Sequence, residues 1–485
     1  MLRSIDMNHA GFDLAGAARQ EMIDHGFQPD FPSGVAQQLA SIDGRPDASL
    51  RDLRSLLWSS IDNDDSRDLD QIEWAERAGD GIRILVAIAD VSASVAKATP
   101  IDSYAALETT TVYTGVRTFP MLPERLSTDL TSLAENEDRN AMVIDMTIGA
   151  DGAIQSSSSY RAVVRNRAQL TYNATGPWLE STAPPPPKIA ASADLQAQLK
   201  LQDEAAQRLC DARHRHGALS FDRMELEPLM KDGQVHGIAT RKHNRAGQLI
   251  EDFMIAANEA MARALREAGV ASIRRVVKDP ERWPRIVELA RQYGEQLPAA
   301  PDPAALNAFL MHRRDSDPVH YADVSLSVLK LMGPGEYVVA RPGDPPQGHF
   351  GLAAQDYTHS TAPNRRFADL VTQRLLKSLE TKTKPYGDEE LDAIASNCTL
   401  KEDAARKVQR AMQKRLAAVA LQQRVGETFS AVVTGVTPKG VFVRALDPPV
   451  EGRLMRGERG LDVGDRLRVT LLSTDPERGF IDFGR

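Results

Sequence analysis

Ile61-Asp-Asn-Asp-Asp-Ser-Arg-Asp-Leu-Asp70 puts five aspartates within nine residues. Like charges so close together repel one another and cost stability unless cations compensate. A solvated acidic loop is the ordinary reading of such a run, and three features argue against it here. The segment stands shortly before Arg83-Ile-Leu-Val-Ala-Ile-Ala-Asp90, a run apolar enough for a buried strand, and not in a low-complexity tail. Its spacing is irregular, so it is not the polar face of an amphipathic helix. A further aspartate follows in Ala87-Ile-Ala-Asp90. Oxygen ligands in this number suit Mg²⁺ or Mn²⁺, not Zn²⁺. Mg²⁺ held by carboxylates commonly serves phosphoryl chemistry. An EF-hand is excluded, because the sixth loop position needs Gly and Arg67 stands there.

Working outward, Ala141-Met-Val-Ile-Asp-Met-Thr-Ile148 alternates like a second strand, and Gly149-Ala-Asp-Gly-Ala153 reads as a hairpin turn. Ala183-Pro-Pro-Pro-Pro-Lys188 reads as a stiff exposed loop that is neither helix nor central strand. Helices are expected over about 192–214, 247–268, 281–294, 366–380 and 399–422. Ahead of the acidic segment, residues 15–24 and 34–42 have helical spacing and are separated by Pro29 and Pro32. They read as a short helical arm or a small helix-turn-helix over residues 1–50. The tail changes character: 428–436, 440–444, 451–455, 466–472 and 479–483 are five short strands separated by turn residues. That pattern suggests an OB barrel over 425–485.

The 485-residue chain is long enough for two or three cores. With 42% hydrophobic and 26% charged residues it is globular. No stretch approaches the roughly 20 apolar residues of a membrane span, and the acidic residues of the first thirty positions do not read as a signal peptide. Two distant cysteines, Cys210 and Cys398, argue against a disulfide or zinc framework and for a reducing cytoplasm. The net charge of −8 does not advertise nucleic-acid binding, so any such contact must come from local basic patches or bound cations.

The acidic segment, followed by Leu85-Val-Ala-Ile-Ala-Asp-Val-Ser92, resembles the catalytic signature of the ribonuclease II (RNB) exoribonucleases. So do Val112-Tyr-Thr-Gly-Val-Arg-Thr-Phe-Pro-Met-Leu-Pro-Glu-Arg-Leu-Ser127, Leu249-Ile-Glu-Asp-Phe-Met-Ile-Ala-Ala-Asn258, His349-Phe-Gly-Leu352 and Thr361-Ala-Pro-Asn-Arg-Arg-Phe-Ala-Asp-Leu370. These segments occur in the family's order over about residues 55–425. The tail, with Gly435-Val-Thr-Pro-Lys-Gly-Val-Phe-Val443, is similar to the S1-type RNA-binding domain that ends these enzymes. The resemblance implies an α+β fold: an RNB catalytic domain of mixed sheet and helices over 51–424, an S1-type OB barrel behind it and the short helical segment ahead of it. Fifty residues are too few for the family's pair of cold-shock domains, so a shortened form is expected.

The resemblance implies that Asp62, Asp68 and Asp70 hold Mg²⁺, with Mn²⁺ as a substitute, and that Asp70 and Arg365 are catalytic. Guanidinium clamps phosphate bidentately and offsets charge in the transition state; the alternative for Arg365 is a structural salt bridge with Asp369. Tyr113 and Phe221 match the aromatic pair that stacks on 3′-terminal bases, against the alternative of core packing. Glu251 matches a contact to the terminal ribose, and Arg366 a contact to the RNA backbone. Three positions depart from the family. Gln71 stands where a fourth aspartate is usual, Gln409 where a glutamate is often found on the later helix, and Asn364 where an apolar residue is usual. The expected activity is hydrolysis of single-stranded RNA from a free 3′ end to nucleoside 5′-monophosphates, by a cytoplasmic monomer that does not engage membranes. The departures keep one alternative open: a catalytically impaired RNA-binding regulator with the same fold.

Overall fold

The structure, a computed structural model, describes residues 12–221, 225–231, 234–241 and 243–485. Residues 1–11 of the expected arm lie outside that range. The central sheet is built from β1 (Arg51–Asp52), β2 (Trp58–Asp62), β3 (Gln71–Ala78) and β4 (Gly81–Ala89). A small hairpin, β5 (Val112–Tyr113) and β6 (Thr118–Phe119), comes between these and the long strands β7 (Asp138–Ile148) and β8 (Ile154–Thr171). β3, β4 and β7 form an antiparallel run. β8 pairs with β7 over its first part and with β2, in parallel, over its last. β2 also meets β3, so the strands close on themselves. Closure hides both faces of β4: Ile84, Val86, Ala87, Ile88 and Ala89 are all buried. This explains why β4 reads as a continuous apolar run and not as an alternating one.

Helices Ala193–Arg215 and Arg245–Glu267 pack on this sheet and on each other. The second presents one broad apolar face, from Leu249 through Phe253 and Ala257 to Met261, as residues spaced by three or four must. Helices Trp283–Gln292, Pro303–Ser316 and Pro318–Met332 form a separate cluster around Trp283, Ile286, Phe309 and Leu310. Helix Asp388–Leu421, 34 residues long, runs to the C-terminal barrel. In the barrel, strands Thr428–Thr437, Gly440–Ala445, Glu451–Arg456, Arg466–Asp475 and Phe480–Gly484 close around Phe429, Val443, Leu454, Val469 and Phe483. The α+β organisation and the five-stranded barrel therefore agree with the sequence reading. No helix among the described residues is long and apolar enough to cross a membrane, and both cysteines are free.

The amino-terminal helices α1 (Leu14–Asp24) and α2 (Ser33–Ser41) go to different neighbours, α1 to helix Asp388–Leu421 and α2 to helix Pro100–Glu108. Ala18 and Met22 of α1 share a core with Val112 and Phe119 of the hairpin and with Val408 and Met412. Glu21 pairs with Arg415 at 2.7 Å. The arm thus supports the hairpin that carries Tyr113.

Three local expectations need correction. Pro187 and Lys188 do not belong to an irregular loop but open the helix Pro187–Ala190, because proline at the first helical position sacrifices no hydrogen bond. The same physics hid helices Pro303–Ser316 and Pro318–Met332, each of which begins on a proline. The last long helix starts at Asp388 rather than near 399, on a first turn of Asp388, Glu389 and Glu390 that complements the helix dipole.

Candidate active site

Asp62 ends β2, and Asp70 immediately precedes β3. Between them the chain turns at Asn63–Ser66, where Ser66 N–H donates to Asn63 O at 3.3 Å. Asn, Asp and Ser are the residues that favour such turns. Asp62 Oδ1 accepts from Asn63 N at 2.7 Å and from Ser66 Oγ at 3.0 Å. Leu69, 1% exposed, anchors the loop in the core. Its N–H donates to Ser132 Oγ, its carbonyl accepts from Leu133 N–H, and Asp70 O accepts from Ala89 N–H. The acidic loop is therefore fixed by backbone bonds to β4 and to the segment just after a π-turn at Leu126–Leu130. Such π-turns recur at functional sites.

The second component is the turn 361–366. Arg365 and Arg366 N–H both donate to Ala362 O, and Ala362 N–H donates to Asp369 Oδ1 at 2.8 Å. This turn meets Asp70 across 294 positions of sequence: Asn364 N–H donates to Asp70 Oδ1 at 3.2 Å. Arg365 Nε lies 3.4 Å from Asp70 Oδ2, with 46% of its side chain exposed. The third component is the hairpin. Thr111 N–H donates to Arg365 O, Phe367 N–H donates to Thr109 O, and Thr110 bridges Arg366. Tyr113 follows two residues later, 43% exposed, with its phenol near enough to Asp68 to bear on that carboxyl.

The electrostatics follow from this crowding. Asp70 is 3% exposed. Burial pushes its carboxyl up to about 7, Arg365 opposes the shift, and Asp68 adds to it. Asp68 is also raised, first by burial, with Arg365 and the Tyr113 hydroxyl opposing and Asp62 contributing. The Tyr113 phenol is raised for the same reason, burial of its hydroxyl end. Arg365 is thus the cation that the desolvated carboxylates share, and it remains half open to solvent.

Among the described residues no group of three or more His, Cys, Asp or Glu side chains is drawn together as a ready-made metal cage. The chemistry of the donor set nevertheless fits a divalent cation. Asp68 feels the charge of both Asp62 and Arg365, and Asp70 that of Asp68. Hard carboxylate oxygens whose mutual repulsion is met by one guanidinium suit Mg²⁺ or Mn²⁺.

The structure brings Asp62, Asp68, Asp70, Tyr113 and Arg365 together and places the remaining candidates elsewhere. Arg366, expected as an RNA contact, forms an ion pair with fully buried Asp369 and keeps 23% of its side chain exposed: Nε and Nη2 donate to Asp369 Oδ2 and Oδ1 at 2.8 and 2.7 Å. Asp369, suggested as the salt-bridge partner of Arg365, is therefore the partner of Arg366. Phe221 is partly buried against the Trp283–Phe309 cluster and not beside Tyr113. Glu251 lies on helix Arg245–Glu267, half exposed, 3.6 Å from His243. The Asp90 side chain is buried among Arg161, Lys377 and Ser92 and caps a short helix. Sequence reasoning missed Thr131 and Ser132, whose hydroxyls bind Asn364 Oδ1 and the acidic loop. No local signal marks such contacts, because the first spans 233 positions.

Comparison with known proteins identifies the family and the fold. The family model described as RNB domain matches residues 50–382, and the RNase II-type exonuclease C-terminal S1 domain matches 427–485. Ribonuclease R of Thermotoga maritima is 29% identical over 494 residues, covering 94% of this chain and 68% of its own. Ribonuclease R of Escherichia coli is 30% identical over 499 residues, covering 93% and 60%. The chain spans just over half to about two thirds of the length of the curated relatives it matches. Mycoplasma genitalium RNase R in complex with ribose-methylated single-stranded RNA superposes with a TM-score of 0.88 at 22% identity, over 98% of this chain and 78% of that one. At that identity the likeness is one of fold.

Proposed function

The chain belongs to the RNB family, and from that premise we propose that it is a 3′→5′ exoribonuclease that hydrolyses single-stranded RNA to nucleoside 5′-monophosphates. The observation that carries this reading is the half-exposed Arg365 at 3.4 Å from buried Asp70, joining two distant motifs at one place. Mg²⁺ held by Asp62, Asp68 and Asp70 would supply a water of lowered pKa and neutralise phosphate charge. Arg365 clamps the scissile phosphate with its free N–H groups and opposes the charge that grows on it. Asp70, fixed by Asn364 N–H, keeps Arg365 aligned. Tyr113, 43% exposed, offers its ring to a 3′-terminal base.

Selectivity follows from the same contacts. Phosphate and stacking interactions do not distinguish bases, so sequence preference is weak. The domains act as a helical arm (1–50), a catalytic unit (51–424) and an RNA-binding barrel (425–485). We infer a cytoplasmic, monomeric enzyme. Glu251 as a ribose contact and Phe221 as a second stacking ring belong to the same proposal. Both require the 3′ end to approach the face where helices Arg245–Glu267 and Trp283–Gln292 lie.

The test uses single-stranded RNA labelled at its 3′ end, with Mg²⁺. The wild-type chain releases labelled mononucleotide before the RNA shortens visibly. Asp70→Asn binds the RNA and leaves it intact. Cleavage by this variant at the wild-type rate refutes the site. The second reading, an RNA-binding regulator without catalysis, is favoured by Gln71 in place of a carboxylate. It predicts binding without release in the wild type as well.

A further inference from the structure

The turn that carries Arg365 follows a segment, 357–361, that belongs to no strand or helix. Buried backbone in such a segment must find its partners one by one. Tyr357 O accepts from Arg275 N–H at 2.8 Å, and Thr358 Oγ1 donates to Ile273 O at 2.7 Å. The Tyr337 hydroxyl lies 2.8 Å from His359 Nδ1. The last two residues before the turn share one side chain, that of Asn258 on helix Arg245–Glu267. Asn258 Oδ1 accepts from Ser360 N–H at 2.8 Å and from Ser360 Oγ at 2.9 Å. Its Nδ2 donates to the Tyr357 hydroxyl at 3.1 Å and to Thr361 Oγ1 at 3.5 Å. Asn258, Ser360 and Thr361 are all buried, so water does not stand in for these bonds. The backbone also fixes the orientation of the amide. Ser360 N–H can only donate, so the oxygen of Asn258 must face it.

These bonds lead to Arg365. Thr361 adjoins Ala362, whose carbonyl accepts from both Arg365 N–H and Arg366 N–H, so the turn is a closed unit. Asp369 holds that unit from behind, through Ala362 N–H and Arg366. Asn258 holds the chain that enters it. We propose that Asn258 is a positioning residue for the reaction: it fixes the segment 357–361 against helix Arg245–Glu267 and thereby sets Arg365 beside Asp70. Packing alone would not do this. Apolar contact is non-directional and leaves a segment free to slide along a helix. A buried polar network that is fully satisfied specifies one arrangement. The same helix already packs through Phe253, Ala257 and Met261, so the amide adds register, not bulk. Arg365 Nε stands 3.4 Å from Asp70 Oδ2. A slip of about 1 Å would carry it out of reach, and a misplacement of that size can cost about a hundredfold in rate. The inference rests on the reading of Arg365 as the phosphate clamp given above.

A double-substitution cycle on the full chain separates positioning from folding. The readout is single-turnover cleavage of 3′-labelled single-stranded RNA in Mg²⁺, with enzyme in excess. Asn258→Ala should lower the cleavage rate about 30-fold. The enzyme concentration for half-maximal rate should stay within about twofold, because the interaction lost is one made in the transition state. In an Arg365→Ala background the same substitution should cost less than about threefold, since the group it positions is gone. A residue that only stabilises the fold lowers the rate by the same factor in both backgrounds. That result overturns the inference and leaves the functional reading intact. Thermal melting shows whether each variant folds. If Asn258→Ala does not, Tyr357→Phe takes its place in the cycle, because it removes one partner of Nδ2 and keeps the ring. It should cost about fivefold with Arg365 present and less than about twofold without it; equal factors overturn the inference here too. An Arg365→Ala chain that cleaves at the wild-type rate defeats the functional reading and this inference together.

Discussion

Arg366→Gln tests the division of labour between the two neighbouring arginines. Asp369 is fully buried, and Arg366 grips it through two hydrogen bonds of 2.7 and 2.8 Å. Removing one partner of a buried ion pair costs about 3–5 kcal/mol, because the other charge is left without compensation. Asp369 would keep one donor, Ala362 N–H, which places the expected loss near the lower end, about 3 kcal/mol. The turn 361–366 hangs on Asp369, so Arg365 should also lose its alignment with Asp70 and the rate should fall, while RNA affinity of the folded protein changes less than about twofold. Arg366→Lys keeps the charge without the fork and should cost less than the glutamine variant. Urea denaturation followed by tryptophan fluorescence gives the stability, and filter binding gives the affinity. A variant within about 1 kcal/mol of wild type that binds RNA tenfold more weakly would refute the reasoning and identify Arg366 as an RNA contact.

Two further outcomes follow from other parts of the structure. Burial, reinforced by Arg275, pushes His349 down to about 4 from its ordinary 6.5. The unfolded chain therefore takes up a proton near pH 6.5 that the folded protein refuses until about pH 4. Stability from this group is lost as pH falls through that window, by at most about 3 kcal/mol. His349→Asn should show a flatter stability profile between those two limits, and identical slopes in mutant and wild type would count against the assignment. Tyr113→Ala should weaken binding of a 3′-terminal single strand by about 1–3 kcal/mol, measured by fluorescence anisotropy. Tyr113→Phe keeps the ring and should bind normally; equal loss of binding in both variants would rule out stacking.

The sequence alone determined a good deal about this protein. Periodicity revealed β4, β7, the packed helices and the five barrel strands, because these elements bury one face or two and write that burial into their spacing. Helices that begin on proline were illegible, since the residue that starts them also ends others. The 18-residue strand β8 was missed because its polar first half, Gln155-Ser-Ser-Ser-Ser159, resembles a loop until β7 pairs with it. At the site, the sequence supplied the carboxylates of 62–70 and, by resemblance, Arg365 as the catalytic arginine and Arg366 as an RNA contact, but not the partners of either. Those were decided by tertiary structure: Asp369, one helical turn further on, pairs with Arg366, and Arg365 faces Asp70. The environment of Asp70 was likewise decided by folding, because desolvation depends on what surrounds a carboxyl and not on its neighbours in the chain. Position 364 shows the difference most clearly. In the sequence it is only a departure from an apolar position; in the fold it is a buried amide tied to Thr131 and Asp70, residues 233 and 294 positions away.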